Sequence, residues 1–581
     1  MRPGRRGAGD PAALRDGGTA RTALLLLLVL LLGGLSLWRS PFSASDLAIV
    51  PDSVEYAVGA QRLASLGRYD LEIEGVSLPP RYPPWFSALV LAPAYLLFPD
   101  ELGIGIVPVL ALALAALGAA FCLGHRLSGD FGAVAAALAL ASFGEFRRLS
   151  REIMSDVPAL AFGLFACALY ARMRRAPVRT ADHGLAGLLC AAAFALRLEL
   201  GALLLPFAAL LGRRREGGWR RAALLVAPAA AVALATALYN HATFGSWART
   251  GYHFWVPLRA DYRALWLSPS FLPANLVSLA SAWGLAVLGL GGLGAASLLW
   301  RRSPAVRPVL EFLLLGALPG SLFHLFFFFP LLRFHLLSLA ILCALAGAGL
   351  AALLPEAARR RAWLAPALLA LLLPALPAPP TPPPARRITG ETLARETAED
   401  AVVVSAIDPV YLEPLLLRGT RRRVVPLSRE VEYASKFVAP ERVALPEEPT
   451  QLPLPRRAWK VLRRQTRQVC AFTAEEEPER LAAWVREGRP VHLDASRLRQ
   501  GYPFERLLGD ELELVWSARH PWLARFALRR PAGAARAQPK KPPIAAKGSS
   551  AISRGTVKTK RSGFTAGESV DHATPRVMAK K

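Results

Sequence analysis

The feature that most constrains this chain is the alternation of long apolar blocks with short arginine runs. A bilayer core about 30 Å thick takes a helix of about 20 apolar residues. Shorter blocks serve where a helix is part-buried or the bilayer thins. We read eleven such blocks as spanning helices, at roughly 22–38, 102–123, 131–146, 157–172, 183–196, 199–212, 221–239, 275–300, 309–329, 334–354 and 362–378. The block 85–97 is too short and contains Pro93. It reads as an interfacial helix on the outer face.

A net charge of +27 would suit a nucleic-acid binder. The placement of the arginines argues instead for the positive-inside rule, and nucleic acid is not expected as a partner. The N-terminal arm carries Arg2, Arg5, Arg6, Arg15 and Arg21, which puts it in the cytoplasm. Alternating from there, each inside loop is basic: Arg126; then Arg172, Arg174, Arg175 and Arg179; then Arg213 to Arg215 with Arg220 and Arg221; then Arg301, Arg302 and Arg307; then Arg359 to Arg361. The pattern holds only if 85–97 does not span and if 183–212 is a hairpin with Arg197 and Glu199 at its outer tip. Block 22–38 resembles a signal peptide, but no small-residue cleavage site precedes Asp52, so it reads as an anchor.

The fold class is therefore an α-helical polytopic membrane protein with interfacial helices and a small C-terminal α/β domain. Residues 1–21 form a basic cytoplasmic arm. Residues 22–378 form the membrane domain, with outer loops 39–101, 147–156 and 240–274. A proline-rich linker covers 379–398, and an extracytoplasmic α/β domain covers 399–532. Within it, strands are predicted at 401–405, 423–427 and 490–494, and helices at 410–417 and 476–487. The basic tail 533–581 is low in hydrophobics and predicted to be disordered. The five cysteines follow no metal or disulfide spacing.

The outer loops carry charge that a bilayer protein does not need. Pro51-Asp-Ser-Val-Glu-Tyr56 opens a helical stretch in which Asp52, Glu55 and Arg62 share one face. One reading is a capping box, with Asp52 as N-cap and Glu55 three residues on. The other makes Asp52 a general base at a membrane-surface cleft. Pro80-Arg-Tyr-Pro-Pro-Trp85 is either a plain turn or an extended presentation of Arg81 and Tyr82. Ser150-Arg-Glu-Ile-Met-Ser-Asp156 places Glu152 and Asp156 before a span, where Asp156 also suits a helix cap. Arg197 and Glu199 can simply pair with each other. Arg333 sits at an outer boundary, where positive charge is disfavoured, so an anion such as phosphate is its expected partner. Trp247, Tyr252 and the aromatics up to Trp266 suit an interfacial belt or a surface for stacking a sugar. No Walker, HExxH, CxxC or GxSxG motif is present.

Taken in order, these pieces resemble the GT-C superfamily of glycosyltransferases, in particular family 39-like enzymes such as protein O-mannosyltransferases and the lipid A aminoarabinose transferase. The resemblance covers about residues 20–378. It rests on Pro51-Asp-Ser-Val-Glu-Tyr, Arg81-Tyr-Pro-Pro, Ser150 to Pro158, Tyr239 to Tyr252, and Arg333-Phe-His-Leu. It implies a polyprenyl-phosphate-linked sugar donor, a lipid, glycan or protein acceptor, and inverting transfer on the extracytoplasmic face of a bacterial inner membrane. It implies Asp52 and Asp156 as catalytic residues. Glu55, Tyr56, Arg81, Tyr82, Glu152, Arg197, Tyr252 and Arg333 then become substrate-binding candidates. Some members bind a divalent cation through such acids and others need none, so the metal stays open. A secondary transporter and a non-catalytic envelope scaffold remain as alternatives. Against a transporter, the charges lie in outer loops and no internal repeat is evident.

Overall fold

A computed structural model describes residues 11–39, 47, 52–73, 76–214, 218–248, 250–251, 267, 269–300, 303–327, 331–355, 385–407, 409, 411–412, 420–428, 473–498 and 501–529. Among the described residues, six helices are long and apolar enough to cross a membrane, so the chain is a multi-pass membrane protein. All the predicted spans fall on helical segments except 362–378, which lies outside the described residues. The tail 533–581 also lies outside them.

The first helix, α1 (Pro11–Leu37), begins inside the expected arm. After it come α2 (Asp52–Leu66) and a small antiparallel hairpin, β1 (Leu71–Ile73) and β2 (Val76–Leu78). Arg62 turns to this hairpin rather than to Asp52 and Glu55. Its Nε donates to Asp70 at 2.6 Å and its Nη1 to Glu72 at 3.0 Å. Pro79 and Pro80 follow, and their fixed φ keeps the chain extended as it returns over α2. The block predicted to be interfacial is helical, as a π turn over Ser87–Leu91 and then α3 (Ala92–Leu97).

The predicted spans 102–123 and 131–146 form one helical hairpin, α4 (Ile106–Ser142). Ser128 and Gly129 leave helical geometry, Gly129 with φ of 74°. Eight residues of straight helix would separate Gly124 from Gly132 by about 12 Å. Here Gly124 lies against the Gly132 carbonyl, so the chain has doubled back. Three short pieces form connections between the helices that follow: α5 (Gly144–Leu149), the turn before α6 (Asp156–Met173), and the 3-10 segment Leu198–Leu203 between α7 (Thr180–Leu196) and α8 (Leu204–Arg214). Helix α9 (Trp219–Phe244) ends at Gly245, whose φ is 71°.

The later helices are α10 (Leu272–Trp300), α11 (Val306–Phe312), α12 (Leu318–Leu325) and α13 (Leu336–Leu353), the last preceded by a 3-10 turn over Leu332–His335. Helix α13 packs along both α4 and α10, and α6 packs between α4 and α7. Where α10 meets α13, Gly294 and Gly349 touch backbone to backbone and leave no room for a Cβ. Close approach through small residues is how helices gain van der Waals contact in lipid, where no hydrophobic force drives them together. The Asn275 side-chain amide caps the end of α12, donating to the carbonyls of Leu325 at 2.7 Å and Phe327 at 2.8 Å.

The C-terminal region is an α/β unit with a five-stranded sheet in the order β4-β3-β5-β7-β6. Strands β3 (Val402–Ser405), β4 (Arg423–Pro426) and β5 (Val491–Asp494) are parallel and match the predicted strands. The predicted helix 476–487 is present as Pro478–Arg486, and most of the predicted helix 410–417 lies outside the described residues. Other elements of this region were not predicted. Residues Ala385–Glu396 are helical within the expected linker, and β6 (Leu512–Trp516) with β7 (Leu523–Leu528) adds an antiparallel hairpin.

Candidate active site

At one end of the membrane helices, five short segments converge that are far apart in sequence. They are the start of α2, the Pro80–Tyr82 turn, the start of α6, the tip between α7 and α8, and the turn before α13. Helix α2 opens with Asp52 and Glu55 in its first turn, where carboxylates suit the helix dipole. The capping-box reading is corrected by what these carboxylates do. Asp52 Oδ1 accepts from Arg81 Nη2 and its Oδ2 from Arg333 Nη1, both at 2.8 Å. Glu55 Oε1 accepts from Arg81 Nε at 2.9 Å and its Oε2 from the Arg81 main-chain N–H at 3.0 Å. Both acids are thus drawn to arginine, and all four side chains are buried or nearly so.

The electrostatic outcome for Asp52 follows. Burial raises the pKa of a carboxyl, but the charges of Arg333 and Arg81 outweigh it and hold Asp52 well below its ordinary value. The carboxylate is therefore ionised across the physiological range.

Asp156 stands at the first turn of α6 with its side chain 1% exposed. Arg197 Nη1 lies 3.1 Å from its Oδ1, too poorly aligned for a hydrogen bond. Both Asp156 oxygens are left without a donor among the described residues. Arg197 also donates from Nε to Glu199 at 2.7 Å, so the expected Arg197–Glu199 pair is present but shared with Asp156. Arg333 shows the complementary deficit: its buried Nε–H has no acceptor among the described residues. A buried acceptor without donors and a buried donor without an acceptor, in one cluster, mark a place where a ligand completes the hydrogen bonding.

The other candidates divide. Tyr56 is buried, stacks on Tyr82 at 4.6 Å, and shares a 3.3 Å hydrogen bond with Ser155 beside Asp156. Arg81 lies 5.3 Å from the Tyr82 ring centre. Glu152 is engaged elsewhere. It accepts from Arg39 Nη1 at 2.9 Å, and Arg39 also donates to the Arg151 carbonyl at 2.7 Å. This buried pair ties the end of α1 to the second outer loop. Tyr252 lies outside the described residues, but its neighbour Gly251 is buried against the main chain of Arg81. Arg39 was missed in the sequence, although it follows the first span on the outer side. The argument that singled out Arg333 applies to it equally. Phe334 was quoted only as part of a motif, yet both Arg197 and Arg333 lie over its ring.

A metal does not fit this arrangement. Among the described residues no three His, Cys, Asp or Glu side chains come together. Both Asp52 oxygens already accept from arginine, and Asp156 faces Arg197.

Comparison with solved structures gives the fold. ArnT from Cupriavidus metallidurans bound to undecaprenyl phosphate superposes with a TM-score of 0.55 at 13% identity, over 87% of this chain and 98% of that one. The chain shares the fold of this ArnT. The apo state of the same ArnT gives a TM-score of 0.54 over 88% of this chain. A more distant likeness, to the oligosaccharyltransferase AglB from Archaeoglobus fulgidus in complex with an inhibitory peptide and a dolichol-phosphate, has a TM-score of 0.45 at 12% identity, over 82% of this chain and 69% of that one. No protein-family model and no curated protein matches the sequence. The likeness to ArnT extends beyond the segment 20–378 on which the sequence resemblance rested.

Proposed function

We propose that this GT-C-fold protein is an inverting glycosyltransferase. It moves a sugar from a polyprenyl-phosphate donor to a lipid, glycan or protein acceptor at the extracytoplasmic face of a bacterial inner membrane. The observation that carries the proposal is the pair of unmet hydrogen-bonding groups: the Arg333 Nε–H and the Asp156 carboxylate, side by side with the Asp52–Arg81–Arg333 cluster. A phosphate oxygen supplies what Arg333 lacks, and sugar hydroxyls supply the donors that Asp156 lacks. The ArnT structure holding undecaprenyl phosphate supports the donor class.

In the reaction an acceptor oxygen attacks the anomeric carbon from the side opposite the phosphate. The new C–O bond forms as the bond to the phosphate oxygen breaks, and the polyprenyl phosphate leaves with the electron pair. Asp52 takes the acceptor's proton. Arg333, Arg197 and Arg81 stabilise the charge that grows on the leaving phosphate. In the resting cluster both Asp52 oxygens face arginine, which weakens it as a base. A bound phosphate competes for those arginines, so donor binding is what frees the carboxylate to accept a proton. No step requires a metal. The cluster sits at helix ends and in outer loops, which favours transfer at the membrane surface over transport through it.

The experiment is transfer from a polyprenyl-phosphate-linked sugar by purified protein. Arg333→Ala should weaken donor use, and Arg333→Lys should restore it only in part, because lysine lacks the planar fork. Absence of transfer with every envelope acceptor, or unchanged donor KM and kcat in Arg333→Ala, would overturn the reading.

A further inference from the structure

The two arginines at the centre of the site share an aromatic neighbour for which the chemistry above has no use. The ζ carbon of Arg197 lies 5.2 Å from the centre of the Phe334 ring, and that of Arg333 lies 5.4 Å from it. His324 stacks on the same ring, 4.2 Å between centres and 10° from parallel. The His324 Nδ1–H donates to the Gly320 carbonyl at 2.8 Å, which holds the imidazole in place within α12. Phe327 meets Phe334 edge-on at 5.6 Å.

Two guanidinium groups this close repel each other. Asp52 pairs with Arg333, and Arg197 lies between Glu199 and Asp156, whose charge also acts on Arg333. Among the described residues, Phe334 is the aromatic ring that lies against both guanidinium groups. An aromatic face attracts a guanidinium through its quadrupole and gives its plane a flat surface to lie over. An aliphatic side chain of similar bulk fills the space but offers no such face. The element geometry adds to this, since Arg197 comes from the α7–α8 tip and Arg333 from the turn before α13.

We infer that Phe334, with His324 stacked on it, is a positioning residue that sets Arg197 and Arg333 as a pair to hold one phosphate group of the donor. The inference rests on the donor reading above. It assigns the ring no contact with the reacting atoms.

The test is binding of undecaprenyl phosphate to the full-length protein in nanodiscs, with thermal stability measured in parallel. Phe334→Leu should raise Kd by about tenfold, the scale of a desolvated cation–π contact. Phe334→Tyr, which keeps the ring, should bind like the wild type. Combining Phe334→Leu with Arg333→Ala should cost less than the sum of the two, because the ring acts through the arginine. If Phe334→Leu does not fold, His324 carries the same test: His324→Ala should weaken binding and His324→Phe should not. An unchanged Kd in Phe334→Leu, a Phe334→Tyr as weak as Phe334→Leu, or full additivity with Arg333→Ala overturns the inference alone. A wild-type protein that does not bind undecaprenyl phosphate overturns the donor reading and this inference with it.

Discussion

Asp52 and Arg333 are 281 residues apart in sequence and joined by a 2.8 Å ion pair. The contact links the first outer helix to the turn that opens α13. On the proposed mechanism a single charge at position 52 has two roles, taking the acceptor's proton and holding Arg81 and Arg333. Asp52→Asn keeps an acceptor oxygen but removes the charge. It should lower stability, by up to about 3–5 kcal/mol for a broken buried pair. It should also cut turnover by about 10²–10⁴-fold at temperatures where the variant is folded. Transfer assays beside thermal melts check this. A stable, fully active Asp52→Asn removes the residue from the mechanism.

The same cluster sets a pH signature. The folded-state pKa of Asp52 lies below its unfolded value, because the charges of Arg333 and Arg81 outweigh the effect of burial. Its stabilising contribution is thus complete above the unfolded carboxyl pKa of about 3.9 and fades as pH falls below that. The melting temperatures of wild type and Asp52→Asn should differ by a constant amount between about pH 5 and 8 and converge in stronger acid. A difference that already vanishes near pH 6 contradicts the ionised cluster.

Glu152 is expected to act through structure. Removing one partner breaks the buried Arg39–Glu152 pair, so Glu152→Gln or Arg39→Gln should destabilise the protein, by up to about 3–5 kcal/mol. The affinity for undecaprenyl phosphate should stay at the wild-type value in the folded fraction. A selective loss of affinity with unchanged stability would return Glu152 to the binding site.

Gly251→Ala tests whether the third outer loop supports the site. A Cβ there would lie 2.5 Å from the Arg81 carbonyl oxygen and 2.6 Å from its carbon, both main-chain atoms that cannot swing aside. Arg81 must shift, and a displacement of about 1 Å near the chemistry can cost about 10²-fold in rate. Wild-type turnover in Gly251→Ala would show that the loop stands clear of the site.

Orientation is tested by reporters. A phosphatase fused after residue 385 should be active if the C-terminal region is extracytoplasmic. An inactive phosphatase there, with a cytoplasmic reporter active at the same point, would invert the topology and the site with it.

Much of this was legible because it rests on composition. Apolar block length marked the helices, and arginine runs argued for treating 85–97 as interfacial and 183–212 as a hairpin. Asp52, Arg81 and Arg333 could be named individually because each is a charge where the membrane does not ask for one. Their mutual contacts were not legible, since pairing across 281 residues depends on how the helices pack. The local capping pattern at Asp52 and Glu55 offered main-chain partners nearby and gave no sign of the arginines that engage both. The β6–β7 hairpin was missed because Leu512–Trp516 is short and the connection to Leu523 lacks an Asn-Gly type turn.

The glycine contact between α10 and α13 bears on which part of the site is free to yield. Gly294 and Gly349 meet with no intervening side chain, so sliding one helix past the other would force backbone into backbone. Arg333, at the head of α13, is thereby mounted on the stiff part of the molecule. Asp52 is carried by α2, whose first ten residues are buried. If the ion pair opens, the main chain of Arg333 stays where α13 holds it, and the opening has to come from side-chain rotation rather than from a slide of that helix.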